Sequence, residues 1–418
     1  MLNSEDLSEQ ELKTLRGDAL GNNLCSSKWI INTLMSLCEI HENGWTEELE
    51  NQLCILWDLS MEGDVVSYLT SHDFLKIAKN ILEIYHDQPR LIEIILGIIG
   101  NICCSNEAID TISYDKDLVT QILNRLTSDD TPILIQLLRI LQLIACKIRA
   151  NPQLNWVAHF TECEFFGDSI IFILNSSTND DLLMAAMNFL ESISYISLPH
   201  KDNFLQILFK IDNLIHALLE SFMQVISVEK LSYSKAEMMF IEHWLKVLIV
   251  IIELGLLKFE DCENDENFSK LMDIMYRILK SYKESHNLFP IRELNSNVIN
   301  ETIRILLSFH SCDVDIPSKI DYIIATIIFY LKTDSDAGQE ELDPEELMIM
   351  LSHNLNQYWL QIIGLCTSDY IAEIFHQCKH EVREYLIHLV QSDSKVTPEV
   401  LEKVKKAAAK NCERFSNV

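Results

Sequence analysis

The sequence predicts an all-α fold, a right-handed helical solenoid of the armadillo or HEAT kind. Three observations predict it. Gly and Pro are scarce, at 10 and 8 in 418 residues, where average usage would give about 29 and about 21. Sheet-rich folds need many Gly- and Pro-bearing turns, so this scarcity points to helices on short polar loops. Apolar residues make up 48% of the chain and recur at spacings of three and four, the period of a helix. Three similar apolar segments open at Pro89, Pro132 and Asn179, about 43 and then about 47 residues apart, which is the period of armadillo and HEAT units.

Taken in order, residues 1–24 read as an acidic, disordered tail without the apolar core of a signal peptide. Residues 25–418 read as one helical array. Trp29 to Ile40 and Leu49 to Met61 are its first helices, separated by the Asn43-Gly44 break. Pro89 to Cys104, Thr131 to Ile148 and Thr178 to Ser194 follow as the clearest repeats, within about 89–194. Asp87, then Asp129 and Asp130, then Asn179 with Asp180 and Asp181 stand at their openings. Acids and a proline suit a helix start, where backbone N–H groups lack partners. Asp115 to Ser128 is a shorter helix between them. From 195 to 418 the repeats loosen. Ala236 to Leu257, Ser296 to His310, Ile320 to Leu331 and Glu345 to Cys366 are helical, with acidic loops near 259–269 and 334–346. Thr397-Pro398 opens a last helix bearing Lys403, Lys405, Lys406 and Lys410.

Each unit is too small to bury its apolar face alone, so stacking must supply the core. The three strong helices are apolar almost all round, and their few polar residues share an arc. Arg90, Glu93 and Asn101 do so in the first, with Gly97 and Gly100. Gln136, Arg139 and Lys147 do so in the second, and Asn188 and Glu191 in the third. These eight polar residues are the candidate protein-binding groove. Trp29 and Trp57 are placed as plugs of the N-terminal end of the stack.

Lys plus Arg is 33 against 63 Asp plus Glu, a formal net charge of −30. Such a surface repels phosphate backbones and favours partners with basic segments. The 12 cysteines include an adjacent pair, Cys103 and Cys104, and no C-x-x-C, so they read as reduced thiols rather than a disulfide framework. Apolar runs are broken short of about 18 residues, so no membrane span is expected. Cytosol or nucleus is the expected compartment. No phosphate-cradling loop, G-x-S-x-G or H-E-x-x-H occurs. His376, His380, Glu384 and His388 are spaced by four, a pattern that can share a zinc ion. A solvated stripe is the favoured reading, and no catalytic, cofactor or metal residue is assigned.

"SKW" at Ser27 to Trp29, "LWDLSMEGDV" at Leu56 to Val65, "LGIIGNICC" at Leu96 to Cys104 and "NSSTNDDLL" at Asn175 to Leu183 occur in one order. Together they resemble the serum amyloid A-like protein family, also called synoviocyte proliferation-associated protein, over about residues 25 to 195. The resemblance implies an armadillo-like fold, a mainly nuclear location with a possible cytoplasmic share, a role promoting cell proliferation, and neither catalytic activity nor cofactor. Asn101 also resembles the peptide-clamping Asn of many armadillo helices. The matching places in the next two helices hold Leu143 and Ser192, so that ladder is not kept. The expected function is a non-enzymatic protein-interaction scaffold, with a nuclear transport or cargo adaptor as the alternative. The partner, its docking surface and the oligomeric state stay open.

Overall fold

The computed structural model describes residues 18, 20, 26–198, 203–230, 232–257, 266–312, 314–334 and 344–415. Nearly all of segment 1–24, and the acidic stretches 259–269 and 334–346 except for their helical ends, lie outside these residues. Among the described residues every regular element is helical, and isolated β-bridges, such as that between Ser197 and Asn203, are the β pairing present. The fold is an all-α solenoid built from helical layers. Internal packing divides it into two compact units. One takes the described residues up to Ile173 with Asn179–Lys210, the other Leu174–Thr178 with the residues from Ile211 onward.

The helix starts follow from local chemistry. The Asp130 carboxylate accepts from the Ile133 N–H at 3.0 Å and opens Thr131–Ala150. Asn179 Oδ1 accepts from the Leu182 N–H at 2.9 Å and opens Asp180–Ser194. Asp87 does not cap Pro89–Ile102. Gln88 holds the cap position without a side-chain bond, and the preset φ of Pro89 begins the helix instead. Gly44, at φ 76°, ends the short Ile40–Asn43 helix in a conformation that glycine adopts without cost.

In the first unit a row of long helices is formed by Glu47–Leu59, Pro89–Ile102, Thr131–Ala150 and Asp180–Ser194, each packed on the next. They open at residues 47, 89, 131 and 180, hence 42, 42 and 49 apart. Two shorter helices complete a layer. Asn106–Tyr114 and Lys116–Leu123 precede Thr131–Ala150, for example. The apolar spacing of Asp115 to Ser128 marks the second of these in the sequence. Three helices per layer is the armadillo composition, whereas HEAT units have two. The long helices carry the core. From Leu91 to Ile102 every residue but Glu93 is buried, and each Leu or Ile so buried contributes about 1.5–3 kcal/mol. Thr131–Ala150 is long and apolar enough to cross a membrane by composition. It packs between two neighbours and carries Arg139, Lys147 and Arg149, as the core helix of a helical stack does.

In the second unit the long helices are Lys235–Glu253, Glu293–Ser311, Pro344–Leu365 and Pro398–Phe415, opening 58, 51 and 54 residues apart. A second row, Ile211–Val225, Glu266–Lys280, Ser318–Asp334 and His380–Ser392, packs alongside. The period that the sequence obscured after residue 195 is therefore present but longer. Its second-row helices have 13 to 17 residues, against 8 for Lys116–Leu123 and 11 for Phe74–Ile84 in the first unit.

Asp321 is fully buried in this unit. It accepts from the Tyr358 and Tyr370 hydroxyls, both at 2.5 Å, and lies 2.9 Å from His310 Nε2. Burial, reinforced by the Asp321 charge, pushes both tyrosines well above their usual range. They remain protonated donors, which is what a buried carboxylate needs.

Candidate functional site

The polar arc of the long-helix row is the place to look for partner contacts. Its geometry in the first unit is a set of rungs between layers. Arg90 donates to Glu50 at 3.1 Å on the preceding long helix and to Glu93 at 2.7 Å on its own. Glu93 and then Glu50 hold the guanidinium firmly charged, above its ordinary value, against the opposing effect of burial. Asn101 is 5% exposed. Its Nδ2 donates to Ser60 Oγ at 2.8 Å and to the Trp57 carbonyl at 3.0 Å, while its Oδ1 accepts from Arg139 Nη2 at 2.6 Å. Asn101 thus joins three successive long helices, and both ends of its amide are engaged within the chain.

The reason is close packing one turn earlier. A Cβ on Gly97 would lie 2.1 Å from Trp57 Cε2. The missing side chain lets the indole lie across the helix, and position 101, four residues on, faces the same seam. Trp57 is therefore a wedge between layers. Trp29 is half-buried on Ser27–Cys38.

The other sequence-predicted residues separate into two groups. Lys147 turns to the short helix of its own layer, donating to the Asn106 carbonyl and to Asp110 at 3.0 Å. Gln136, Arg139, Asn188 and Glu191 are part-exposed on two adjacent long helices. The Gln136 Oε1 is buried without a hydrogen-bond donor. This arrangement can present amide, guanidinium and carboxylate groups side by side to a polar main chain or a charged segment.

The second unit holds an amide set that sequence reading missed. Asn354 Nδ2 donates to Asn300 Oδ1 at 3.1 Å, Asn300 Nδ2 to Ser296 Oγ at 3.3 Å, and Asn297 Nδ2 to Glu242 Oε1 at 3.0 Å. These contacts tie three consecutive long helices. The residues lie 54 and 55 apart in sequence, so a search at 43 to 47 could not align them. The regular i, i+3 spacing of Asn297 and Asn300 was the available signal.

The histidine stripe does not form one face. His376 belongs to Ser368–Gln377 and His380 opens His380–Ser392, because Cys378 and Lys379 are extended between them. Extended residues swing the second helix to a new direction, so i, i+4 spacing across this break carries no helical geometry. His380 pairs with Glu384 at 3.4 Å, both largely exposed. Among the described residues no group of three or more metal-ligating side chains converges. The lysine concentration is partly used for structure. Lys403 donates to the Ile363, Gly364 and Cys366 carbonyls, and Lys410 pairs with Asp369. Lys405 and Lys406 are exposed.

No protein-family model matches the chain. Its similarity to known proteins lies elsewhere. The chain is similar to Protein SAAL1. The Homo sapiens protein is 35% identical over 182 residues, covering 40% of this chain and 38% of that protein. The Mus musculus protein is 32% identical over 191 residues, 42% and 40% of the two chains. Protein saal1 of Danio rerio is 30% identical over 212 residues, 46% and 45%. The chain spans less than half the length of the curated relatives it matches. These names agree with the serum amyloid A-like resemblance read from the sequence. Among solved structures, an engineered protein has a TM-score of 0.47 at 14% identity, over 93% of this chain and 80% of that one. A chain from a structure on a phosphorylation switch controlling the interaction between cadherin and beta-catenin has a TM-score of 0.47 at 11% identity, over 92% and 78%. Likenesses this loose do not bear on function.

Proposed function

We propose that this chain is a non-enzymatic interaction scaffold whose long-helix row receives a protein partner with basic segments. The observation that carries the reading is the part-exposed set Gln136, Arg139, Asn188 and Glu191 on two packed long helices of a helical-repeat body. Repeat stacks offer extended surfaces, and a net charge of −30 selects positive partners. The serum amyloid A-like resemblance read from the sequence, with which the relatives' names agree, carries the further proposal that the chain acts in the nucleus, in control of cell proliferation.

The test is capture of partners from nuclear and cytosolic extracts on the immobilised chain. Reversing Arg139 is a poor probe, since its guanidinium holds Asn101. The informative variant is Asn188→Ala with Glu191→Lys, set against Glu107→Lys, an exposed change on a short helix. The double variant should lose a partner that the control keeps. Binding should also fall steeply between about 0.01 M and about 0.15 M salt, as the Debye length shortens from about 30 to about 8 Å. Capture that ignores both the substitutions and salt would overturn the proposal.

A further inference from the structure

Cys366 follows the Pro344–Leu365 helix, and its Sγ lies 3.3 Å from His310 Nδ1. The opposite ring nitrogen, Nε2, lies 2.9 Å from Asp321 Oδ2. Asp321 already accepts two protonated tyrosine hydroxyls, so it is an acceptor, and the hydrogen in the third contact must come from Nε2. In the neutral imidazole a proton on Nε2 leaves the Nδ1 lone pair facing the thiol. Thiol, imidazole and carboxylate thus stand in a line, the arrangement in which a base takes a nucleophile's proton and a third group orients the base.

The line is held from four helices. His310 comes from Glu293–Ser311, Asp321 from Ser318–Asp334 and Cys366 from the end of Pro344–Leu365. Lys403 of Pro398–Phe415 donates to the Cys366 carbonyl at 2.9 Å, which fixes that peptide and sets a positive charge beside it. Other cysteines differ. Cys103 and Cys378 are buried, and burial pushes both thiols up to about 12. Cys366 is part-exposed.

We propose that Cys366 is a histidine-activated thiol and a site of covalent oxidation by hydroperoxides. The Cys366 proton passes to His310 Nδ1. The thiolate attacks one peroxide oxygen, so an S–O bond forms as the O–O bond breaks. The departing oxygen takes the proton from His310 and leaves as water or, from an alkyl hydroperoxide, as an alcohol. Sulfur is oxidised by two electrons to a sulfenic acid and the peroxide is reduced. A small uncharged oxidant suits the position, because the thiol is only part-exposed and the chain as a whole is strongly anionic, which repels charged disulfides such as oxidised glutathione. The reaction is stoichiometric and adds a modification to the scaffold.

The experiment uses the full chain, hydrogen peroxide as the oxidant and dimedone as the sulfenic-acid trap, with each cysteine quantified by mass spectrometry. Cys366 should trap at least about tenfold more than the exposed Cys104 and Cys146, and His310→Gln should remove that excess. Alkylation by iodoacetamide gives a second readout. An ordinary thiol gains roughly 75-fold in rate from pH 6 to pH 8 as its thiolate fraction grows. On this proposal Cys366 should gain less than about tenfold, since an imidazole that takes the proton keeps thiolate present at the lower pH. Among the described residues, His310, Tyr358, Tyr370 and Lys403 face it, with Asp321 behind the imidazole, and their titration enters that profile. Asp321→Asn, which acts through the imidazole, should restore the steep profile, and Tyr358→Phe should leave the shallow one. A steep profile for Cys366 in the unaltered chain overturns the proposal whatever the variants do, as does trapping no greater than at Cys104.

Discussion

Asp115 caps Lys116–Leu123 through the Leu118 N–H at 3.0 Å and reaches Lys79 of the preceding layer at 2.9 Å. Burial works to raise its carboxyl, but the Leu118 N–H and then Lys79 outweigh it and hold it below its usual value of 3.8. A carboxyl depressed in the folded state stabilises above its unfolded value, and that contribution is lost as pH falls through the lower folded value. The Leu118 amide should therefore lose hydrogen-exchange protection as pH drops from about 5 toward about 3, after correction for intrinsic exchange. Asp115→Ala should cost about 1–2 kcal/mol at neutral pH, as lost caps do, and flatten that pH dependence. Caps of this kind were legible beforehand. Asp130 and Asn179 stand where the sequence placed them, since a cap involves neighbours three residues apart. Asp321 was not legible. It sits in an apolar helix, and its partners lie 11, 37 and 49 residues away, beyond any local pattern.

At the scale of elements, the seam between Glu47–Leu59 and Pro89–Ile102 depends on Gly97. Gly97→Ala should destabilise the first unit by about 1–3 kcal/mol, the usual cost of overpacking. Trp57→Leu in the same chain should recover much of the loss, because the indole is what the new methyl meets. A melting series on both single variants and the double variant checks this, and simple additivity would show that the two positions do not share the seam. The helices themselves were largely evident from apolar period. What escaped were short helices such as Asn106–Tyr114 and the break at Cys378 and Lys379, where a regular His spacing continued across a change of direction. Spacing along a sequence registers a helical face only while the helix lasts.

For the whole chain, the surplus of carboxylates acts on each unit as self-repulsion. Raising salt from about 0.01 M to about 0.15 M should raise the melting temperature, by about 2–4 °C for each 1 kcal/mol of repulsion screened. A scan by circular dichroism measures it, and a falling melting temperature would mean that the interlayer ion pairs outweigh the repulsion. The same charge underlies the salt-sensitive binding proposed above.

The sequence by itself determined the helical class, the long-helix period in the first unit and the acidic character, because each is a sum over local choices. Helix propensity, caps and apolar spacing act within a turn or two, and net charge is only a count. Tertiary structure decided which polar residues face a partner and which tie layers together. Asn101 shows the difference. By pattern it lies on the same arc as Arg90 and Glu93, yet the Trp57 carbonyl, Ser60 and Arg139 come from helices 38 to 44 residues away and use its whole amide. The longer period after residue 195, the Asn300 and Asn354 pair, and the line from Asp321 through His310 to Cys366 were decided the same way. Each is set by which layer stacks on which, and stacking brings together residues that no local rule relates.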